Sequence, residues 1–297
     1  LARWENLSWQ GNEPNIEFLY GVDGGGDVYK SSDLGKNWGM VKENFGRIFG
    51  GISMKDKSVL LVSGGVDSTI AHFWLKSNGE EHLNLYFKLG HRYQRKEMRS
   101  LINLSKIIDG FDVKFIEDLK LGKYEYGENA YIPHRNLLLA LLASNYGNKI
   151  YLIGVKGDRV EDKSPEAFKV MSFVINFIQK PDEPKVKIVS PFWNMTKVDI
   201  IQWFIKEYGK SYAQKVLETS VSCYDEKTLG SCGLCKSCFR KFIAIYQAGI
   251  DCRDWFEKDI KENPFIPEYI RRIKVGDLEI KRATETMKVL KKLGVWK

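Results

Sequence analysis

Ser58-Val-Leu-Leu-Val-Ser-Gly-Gly-Val-Asp-Ser-Thr69 is the stretch that decides the fold of this 297-residue chain. Its aliphatic run at residues 59–62 predicts a buried strand of a parallel sheet. Small and short polar residues follow at once, namely Ser63, Gly64, Gly65, Asp67 and Ser68. They predict a tight turn that leads into a helix N-terminus. Exposed N–H groups and the positive end of a helix dipole would then meet at one point, which suits a phosphate or pyrophosphate.

The turn matches neither the dinucleotide fingerprint nor the Walker pattern. Ser63-Gly-Gly-Val-Asp-Ser68 instead resembles the SGGxDS signature of the PP-loop ATP pyrophosphatases. That resemblance implies cleavage of ATP, with Mg²⁺, between its α and β phosphates. The alternative is a strand-to-helix turn that binds no ligand.

Strands and helices alternate after residue 54. The predicted further strands are residues 83–89, 113–116, 150–155 and 186–189, and the predicted helices include residues 94–108, 136–146 and 196–208. We expect helix 136–146 to be buried on nearly every side, because almost all of its residues are apolar. This order predicts an α/β fold with a parallel sheet flanked by helices and ligands at the carboxyl edge of the sheet.

Four segments are predicted along the chain. Residues 1–53 are rich in glycine and aromatic residues, which predicts short strands and turns, and Ser31 to Trp38 reads as a turn with a packed tryptophan. This segment is either an accessory module or a separate polypeptide joined to the enzyme. Residues 54–215 form the ATP-binding domain, 216–250 a zinc-binding subdomain and 251–297 a helical tail.

Composition sets limits on function. The formal net charge is +8, which fits an anionic substrate, nucleic acid or a lysine-rich solvated surface. Because no apolar run reaches the length of a membrane span and the start lacks a signal-peptide layout, we expect a cytoplasmic protein without membrane contact.

Four of the five cysteines lie within sixteen positions. Cys223, Cys232, Cys235 and Cys238 have the spacing C-x8-C-x2-C-x2-C. Four thiolates leave no open position on a tetrahedral ion, which predicts structural Zn²⁺. An iron–sulfur cluster or unligated cysteines are the alternatives. Cys252 lies outside the set and is predicted to be a buried small side chain.

A longer series of motifs resembles the 7-cyano-7-deazaguanine synthase family, PP-loop enzymes of the queuosine pathway. Besides the loop and the cysteines, the matching blocks are Leu89-Gly-His-Arg-Tyr-Gln-Arg-Lys-Glu97, Pro133-His-Arg-Asn136, Met195-Thr-Lys197 and Glu218-Thr-Ser-Val-Ser-Cys-Tyr224. They stand in the family's order over roughly residues 57–245. The resemblance implies adenylation of 7-carboxy-7-deazaguanine by ATP, release of AMP and pyrophosphate, and conversion to 7-cyano-7-deazaguanine with ammonia.

The resemblance also implies roles for single residues. Ser63, Gly64, Gly65 and Ser68 would cradle pyrophosphate, Asp67 would hold the loop or Mg²⁺, and Lys197 and Arg135 would neutralise charge on the leaving group. The substrate candidates are His91, Arg92, Asp158 and Glu161.

Departures from the family pattern concern the acceptor. The family's substrate loop appears here as residues 157–166, without its cysteine, and both termini carry extra sequence. One alternative is therefore the same activation used to attach the deazaguanine to a protein amine in antiviral defence. A tRNA-thiolating PP-loop enzyme and a non-enzymatic ATP-binding scaffold are others, although nucleic-acid binding is not expected. A protein partner bound through residues 1–53 and a homodimer are further hypotheses.

Overall fold

The computed structural model describes residues 19–22, 28–31, 36–37, 39–42, 57–117, 119–127, 130–158 and 162–296. The chain divides into two compact units, Leu1–Met54 and Lys55–Lys297. Strands β1 (Leu19–Val22), β2 (Val28–Ser31) and β3 (Gly39–Lys42) of the first unit form an antiparallel sheet in that order. The short strands predicted for this segment are thus confirmed. Trp38, predicted to be packed, lies outside the described residues.

The second unit is built on a five-stranded parallel sheet. Its strands are β4 (Ser58–Leu61), β5 (His82–Phe87), β6 (Val113–Ile116), β7 (Lys149–Tyr151) and β8 (Lys187–Val189). They lie in the order β6-β5-β4-β7-β8, and every neighbouring pair is parallel. The predicted sheet is therefore confirmed, and the loops that follow its strands start at one edge.

Strand β7 is shorter than predicted. The strand ends at Tyr151, although Leu152 N–H still donates to Val189 O at 3.1 Å. After Leu152, the Ser190 hydroxyl hydrogen-bonds to both backbone groups of Gly154. The hydroxyl accepts from Gly154 N at 3.2 Å and donates to Gly154 O at 2.6 Å. A side chain therefore replaces the neighbouring strand as hydrogen-bond partner, and the ladder stops.

Nine α-helices lie in the described part of the second unit. They are α1 (Val66–Ser77), α2 (Gln94–Ser105), α3 (Arg135–Ala143), α4 (Pro165–Ile178), α5 (Lys197–Tyr208), α6 (Lys210–Thr219), α7 (Lys236–Gln247), α8 (Ile266–Lys274) and α9 (Ile280–Lys292). Thr196 is the N-cap of α5: its side chain accepts from Asp199 N, and the Asp199 side chain accepts from Thr196 N. This reciprocal capping box fixes the start of α5.

The sheet separates two cores because successive strand residues face opposite sides. Leu60 packs in the larger core, together with residues of α1, α5, α7 and α9 and with Cys223, Cys232 and Cys238. Val59 and Leu61 face the smaller core, which holds residues of α3 and α4. The cysteine segment and the C-terminal helices thus share one core with the sheet.

Helix α3 corrects one expectation. Its fully buried residues are Asn136, Ala140 and Ala143, whereas the side chain of Leu141 is 36% exposed. The helix packs through one face only, so an apolar composition did not imply burial all round. No helix among the described residues is long and apolar enough to cross a lipid bilayer.

Candidate active site at the carboxyl edge of the sheet

The loop after β4 is held in place by the contacts of Gly64. Its φ of +68° is a backbone conformation that favours glycine, and a Cβ built there would lie 2.9 Å from Ser100 Cβ. The Gly64 carbonyl accepts from Ser100 Oγ at 2.9 Å and from Val221 N at 2.8 Å. Gly64 therefore packs against Ser100 and the backbone of Val221, and it is not among the residues that line the cavity described below.

The upper part of the loop presents its polar groups at the start of α1. Ser68 Oγ accepts from Ser63 N at 3.2 Å and donates to Gly65 O at 3.3 Å. Gly65 is the N-cap of α1 and provides no side-chain cap. The positive end of this helix is therefore left without a capping oxygen, which favours an anion there.

Asp67 and Lys197 form an ion pair between two helix N-termini. Lys197 Nζ lies 2.6 Å and 2.5 Å from the two carboxylate oxygens of Asp67, and each side chain is 26% exposed. Asp67 lies in the first turn of α1 and Lys197 is the first residue of α5. A cation at this position opposes the dipole of its own helix and needs an anion nearby. Asp67 is such an anion, and a phosphate group would be another.

A second polar cluster surrounds Glu97 on α2. The Glu97 carboxylate accepts from Tyr86 OH at 2.9 Å and lies 3.0 Å from His91 Nε2. Arg135, at the start of α3, donates to Tyr93 OH at 3.0 Å. Burial, reinforced by the Glu97 charge, raises the pKa of both Tyr86 and Tyr93 well above its ordinary value. Both phenols therefore keep their protons and remain hydrogen-bond donors.

One cavity of about 310 Å³ joins these groups. Of the predicted site residues it brings together Ser63, Gly65, Asp67, Ser68, His91, Arg135, Asp158 and Lys197. Arg92 is not among its lining residues: its side chain pairs with Glu125 at 2.8 Å and donates to Gly127 O at 2.9 Å. Glu161 lies outside the described residues.

The cavity also contains residues that sequence reasoning missed. Helices α7, α8 and α9 supply Arg240, Tyr269 and Glu285. Burial alone would lower the pKa of the half-buried Arg240 guanidinium, but Tyr224, Tyr269 and Asp158 together raise it. No local pattern marks these residues, because they reach the cavity only through the packing of the C-terminal helices.

The four predicted cysteines converge. Their sulfur atoms all lie within 4.8 Å of one another, and Cys232 Sγ is 3.9 Å from Cys238 Sγ. Tetrahedral zinc with Zn–S bonds of about 2.3 Å requires sulfur separations of about 3.8 Å.

The surroundings of the cysteines also suit a metal. Backbone N–H groups donate to three sulfurs at 3.3–3.4 Å, on Cys223, Cys232 and Cys235. The buried ammonium of Lys96 lies 3.2 Å from Cys223 Sγ. Donors and a positive charge stabilise thiolates, so the residues fit a closed four-sulfur metal site. Cys252 is fully buried outside the cluster, as predicted.

The order of the parallel sheet, the glycine-containing loop after β4 and the cavity at the sheet edge define an α/β fold of the PP-loop class. The sequence model of a family described as "Queuosine biosynthesis protein QueC" matches residues 57–122 and 112–249, and the chain belongs to this family. The predicted family resemblance is thereby confirmed.

Curated relatives carry the name 7-cyano-7-deazaguanine synthase. The protein from Campylobacter curvus is 31% identical over 219 residues, covering 65% of this chain and 95% of its own length. Those from Aliarcobacter butzleri and Methanococcus vannielii are 28% and 27% identical; each match covers 65% of this chain, and 92% and 96% of the relative. A solved structure described as a 4-thiouridine synthetase–RNA complex with bound ATP aligns with 58% of this chain and 46% of its own at 16% identity and a TM-score of 0.37.

Proposed function

We propose that the chain is an ATP-dependent synthase of the queuosine pathway that adenylates 7-carboxy-7-deazaguanine and converts it with ammonia to 7-cyano-7-deazaguanine. The Asp67–Lys197 pair above the phosphate loop carries this proposal. It combines a cation, a carboxylate and two helix N-termini at the edge where a parallel sheet binds ligands. The names of the curated relatives supply the substrate class.

In the proposed first step, a carboxylate oxygen of the substrate attacks the α-phosphorus of ATP. The bond from this phosphorus to the bridging oxygen breaks, and pyrophosphate leaves with the bonding electron pair. Ser63, Gly65 and Ser68 would hold the pyrophosphate, and Lys197 would neutralise the charge that develops on it. Positioning and charge stabilisation suffice, since no covalent enzyme intermediate is needed.

The later steps use the same site. Ammonia attacks the acyl carbon, AMP leaves, and the product is an amide. The amide oxygen then attacks the α-phosphorus of a second ATP, pyrophosphate leaves, and loss of AMP and two protons gives the nitrile. Glu97 and His91 lie in the same cavity and would hold the deazaguanine, with Asp158 as a further partner, and Arg135 would help Lys197 to neutralise charge on the leaving group.

Two metals are part of the proposal. Mg²⁺ bound with ATP would offset phosphate charge, and Asp67, in the first turn of α1, would help to hold it. Zinc on Cys223, Cys232, Cys235 and Cys238 would be structural, because four sulfur ligands leave no position for substrate.

The test is a pyrophosphate-release assay on the full chain. With ATP, Mg²⁺ and 7-carboxy-7-deazaguanine we expect release, and with ammonium we expect the nitrile. Asp67→Ala and Ser68→Ala should abolish release with little change in the thermal midpoint, because both side chains serve the loop and leave no core cavity. Asp109→Ala, at an exposed carboxylate away from the cavity, is the matched control.

The outcomes separate the alternatives. Native turnover by Asp67→Ala would contradict the loop assignment. Pyrophosphate release that is unaffected by ammonium and yields no nitrile would favour another nucleophile, such as a protein amine.

A further inference from the structure

The C-terminal helix α9 lies outside the family match yet forms part of the cavity wall. The match ends at residue 249, and α9 spans Ile280–Lys292. Val289 and Leu290 are fully buried in the larger core, which anchors the helix against the sheet side of the unit. Arg282 and Glu285 line the cavity. This wall is thus an addition to the matched region.

Helix α9 holds both halves of the capping box that starts α5. The Thr196 hydroxyl donates to Glu285 Oε1 at 2.9 Å, and Glu285 is buried with 9% exposure. The Asp199 carboxylate, which caps Thr196 N at 2.8 Å, accepts from Lys281 Nζ at 2.6 Å. Each capping side chain is thus held by a residue that is distant in sequence. Lys281 lies 82 positions after Asp199, and Glu285 lies 89 positions after Thr196.

The Glu285 contact decides how the Thr196 hydroxyl is oriented. A hydroxyl has one proton to donate and two lone pairs that accept. Because its proton points to Glu285, a lone pair is available for Asp199 N, which lies 3.3 Å from Thr196 Oγ1. Without this acceptor the hydroxyl could rotate, the cap would weaken and the first turn of α5 would fray. Lys197 is the first residue of that turn.

We propose that Glu285 is a positioning residue of the adenylation site, which fixes the first turn of α5 and thereby the ammonium group of Lys197. The inference rests on the function proposed above. Helix α9 also contacts the loop that follows β7, where Arg282 Nη1 donates to Gly157 O at 2.6 Å, next to Asp158. The C-terminal extension thus holds the lysine-bearing helix and the predicted substrate loop together.

The sign of a charge effect separates positioning from simple electrostatics. A carboxylate beside an anion site repels the anion, so removing its charge alone would strengthen pyrophosphate binding. If Glu285 acts by positioning, what matters is that an acceptor oxygen reaches the Thr196 hydroxyl, not that the side chain is charged. Glu285→Gln keeps the acceptor and removes the charge. Glu285→Asp keeps the charge but is one methylene shorter, so that its oxygen falls short of Thr196.

The experiment uses the full chain and compares E285Q and E285D with K288A, which replaces an exposed residue of the same helix. Calorimetry measures the binding of Mg²⁺-pyrophosphate, and the release assay gives kcat and KM for ATP. We expect E285D to bind pyrophosphate about tenfold more weakly and to lose at least tenfold in kcat. For E285Q, pyrophosphate affinity and kcat should both stay within threefold of the values for the unchanged chain. K288A should have the same values as the unchanged chain.

Other rankings of the variants in pyrophosphate affinity and kcat overturn the proposal. If E285Q binds pyrophosphate more tightly while E285D is unchanged, Glu285 acts through its charge alone. If E285D lowers the thermal midpoint without changing binding or kcat, its role is only structural. Absence of pyrophosphate binding by the unchanged chain overturns the inference itself. Failure of release with 7-carboxy-7-deazaguanine in a chain that binds pyrophosphate refutes the proposed function alone, and the order of the binding constants still tests Glu285.

Discussion

Replacing Gly64 by alanine should destabilise the chain through two separate effects. The left-handed backbone, with φ of +68°, costs a non-glycine residue about 1–2 kcal/mol. The added Cβ would also lie 2.9 Å from Ser100 Cβ and 3.1 Å from Glu97 O. Overpacking of this kind costs about 1–3 kcal/mol. The expected loss in the free energy of unfolding is therefore about 2–5 kcal/mol.

Gly79 provides the matched control for this change. Its φ of +69° is almost the same, but a Cβ there meets nothing within 4 Å. Gly79→Ala should therefore show only the backbone cost of about 1–2 kcal/mol. Urea unfolding followed by tryptophan fluorescence measures both variants. Equal losses for Gly64→Ala and Gly79→Ala would refute the close contact beneath the loop. We also expect Gly64→Ala, but not Gly79→Ala, to impair pyrophosphate release.

Three further predictions concern the metal, pH and the first unit. Metal analysis of freshly purified protein should find one zinc per chain. Cys235→Ser should lose the zinc and unfold more easily, whereas Cys252→Ala should keep the zinc. Iron in place of zinc, or no metal at all, would contradict the assignment. Burial and a neighbouring histidine lower the pKa of His72 to about 3, so its contribution to stability is complete above pH 6.5 and falls as the pH drops towards 3. At pH 4.5 the expected loss is about 2.7 kcal/mol. Urea unfolding should show this loss absent in His72→Gln and present in His134→Asn. A chain that begins at Met54 should still release pyrophosphate, and recovery of activity only after residues 1–53 are added would place that segment in the active site.

Local sequence determined the parts of the site that one short segment can build. The aliphatic run, glycine turn and short polar residues of 58–69 lie next to one another, so their strand, loop and helix start follow from backbone preferences alone. The spacing of the four cysteines likewise brought their sulfurs within reach of one ion. The cap at Thr196 needed only a residue three positions away.

Patterns of composition were less informative about burial and strand ends. The leucines of α3 predicted a helix but not its position at the surface, since burial depends on what packs against each face. The end of β7 was set by the Ser190 hydroxyl from another part of the chain. Arg92, within a family block, turned out to face Glu125 and Gly127 O.

Tertiary structure alone decided how the cavity is closed. Glu97, on α2, meets the Tyr86 hydroxyl of β5 and the His91 ring. Glu285 reaches Thr196 across 89 positions of sequence, through a helix anchored by Val289 and Leu290. Such pairs leave no periodicity, spacing or cap signal, since the free energy that brings them together comes from the burial of apolar surface elsewhere. The sequence therefore predicted the loop after β4 and the cysteine cluster, whereas only packing brought Glu285 to Thr196, next to Lys197.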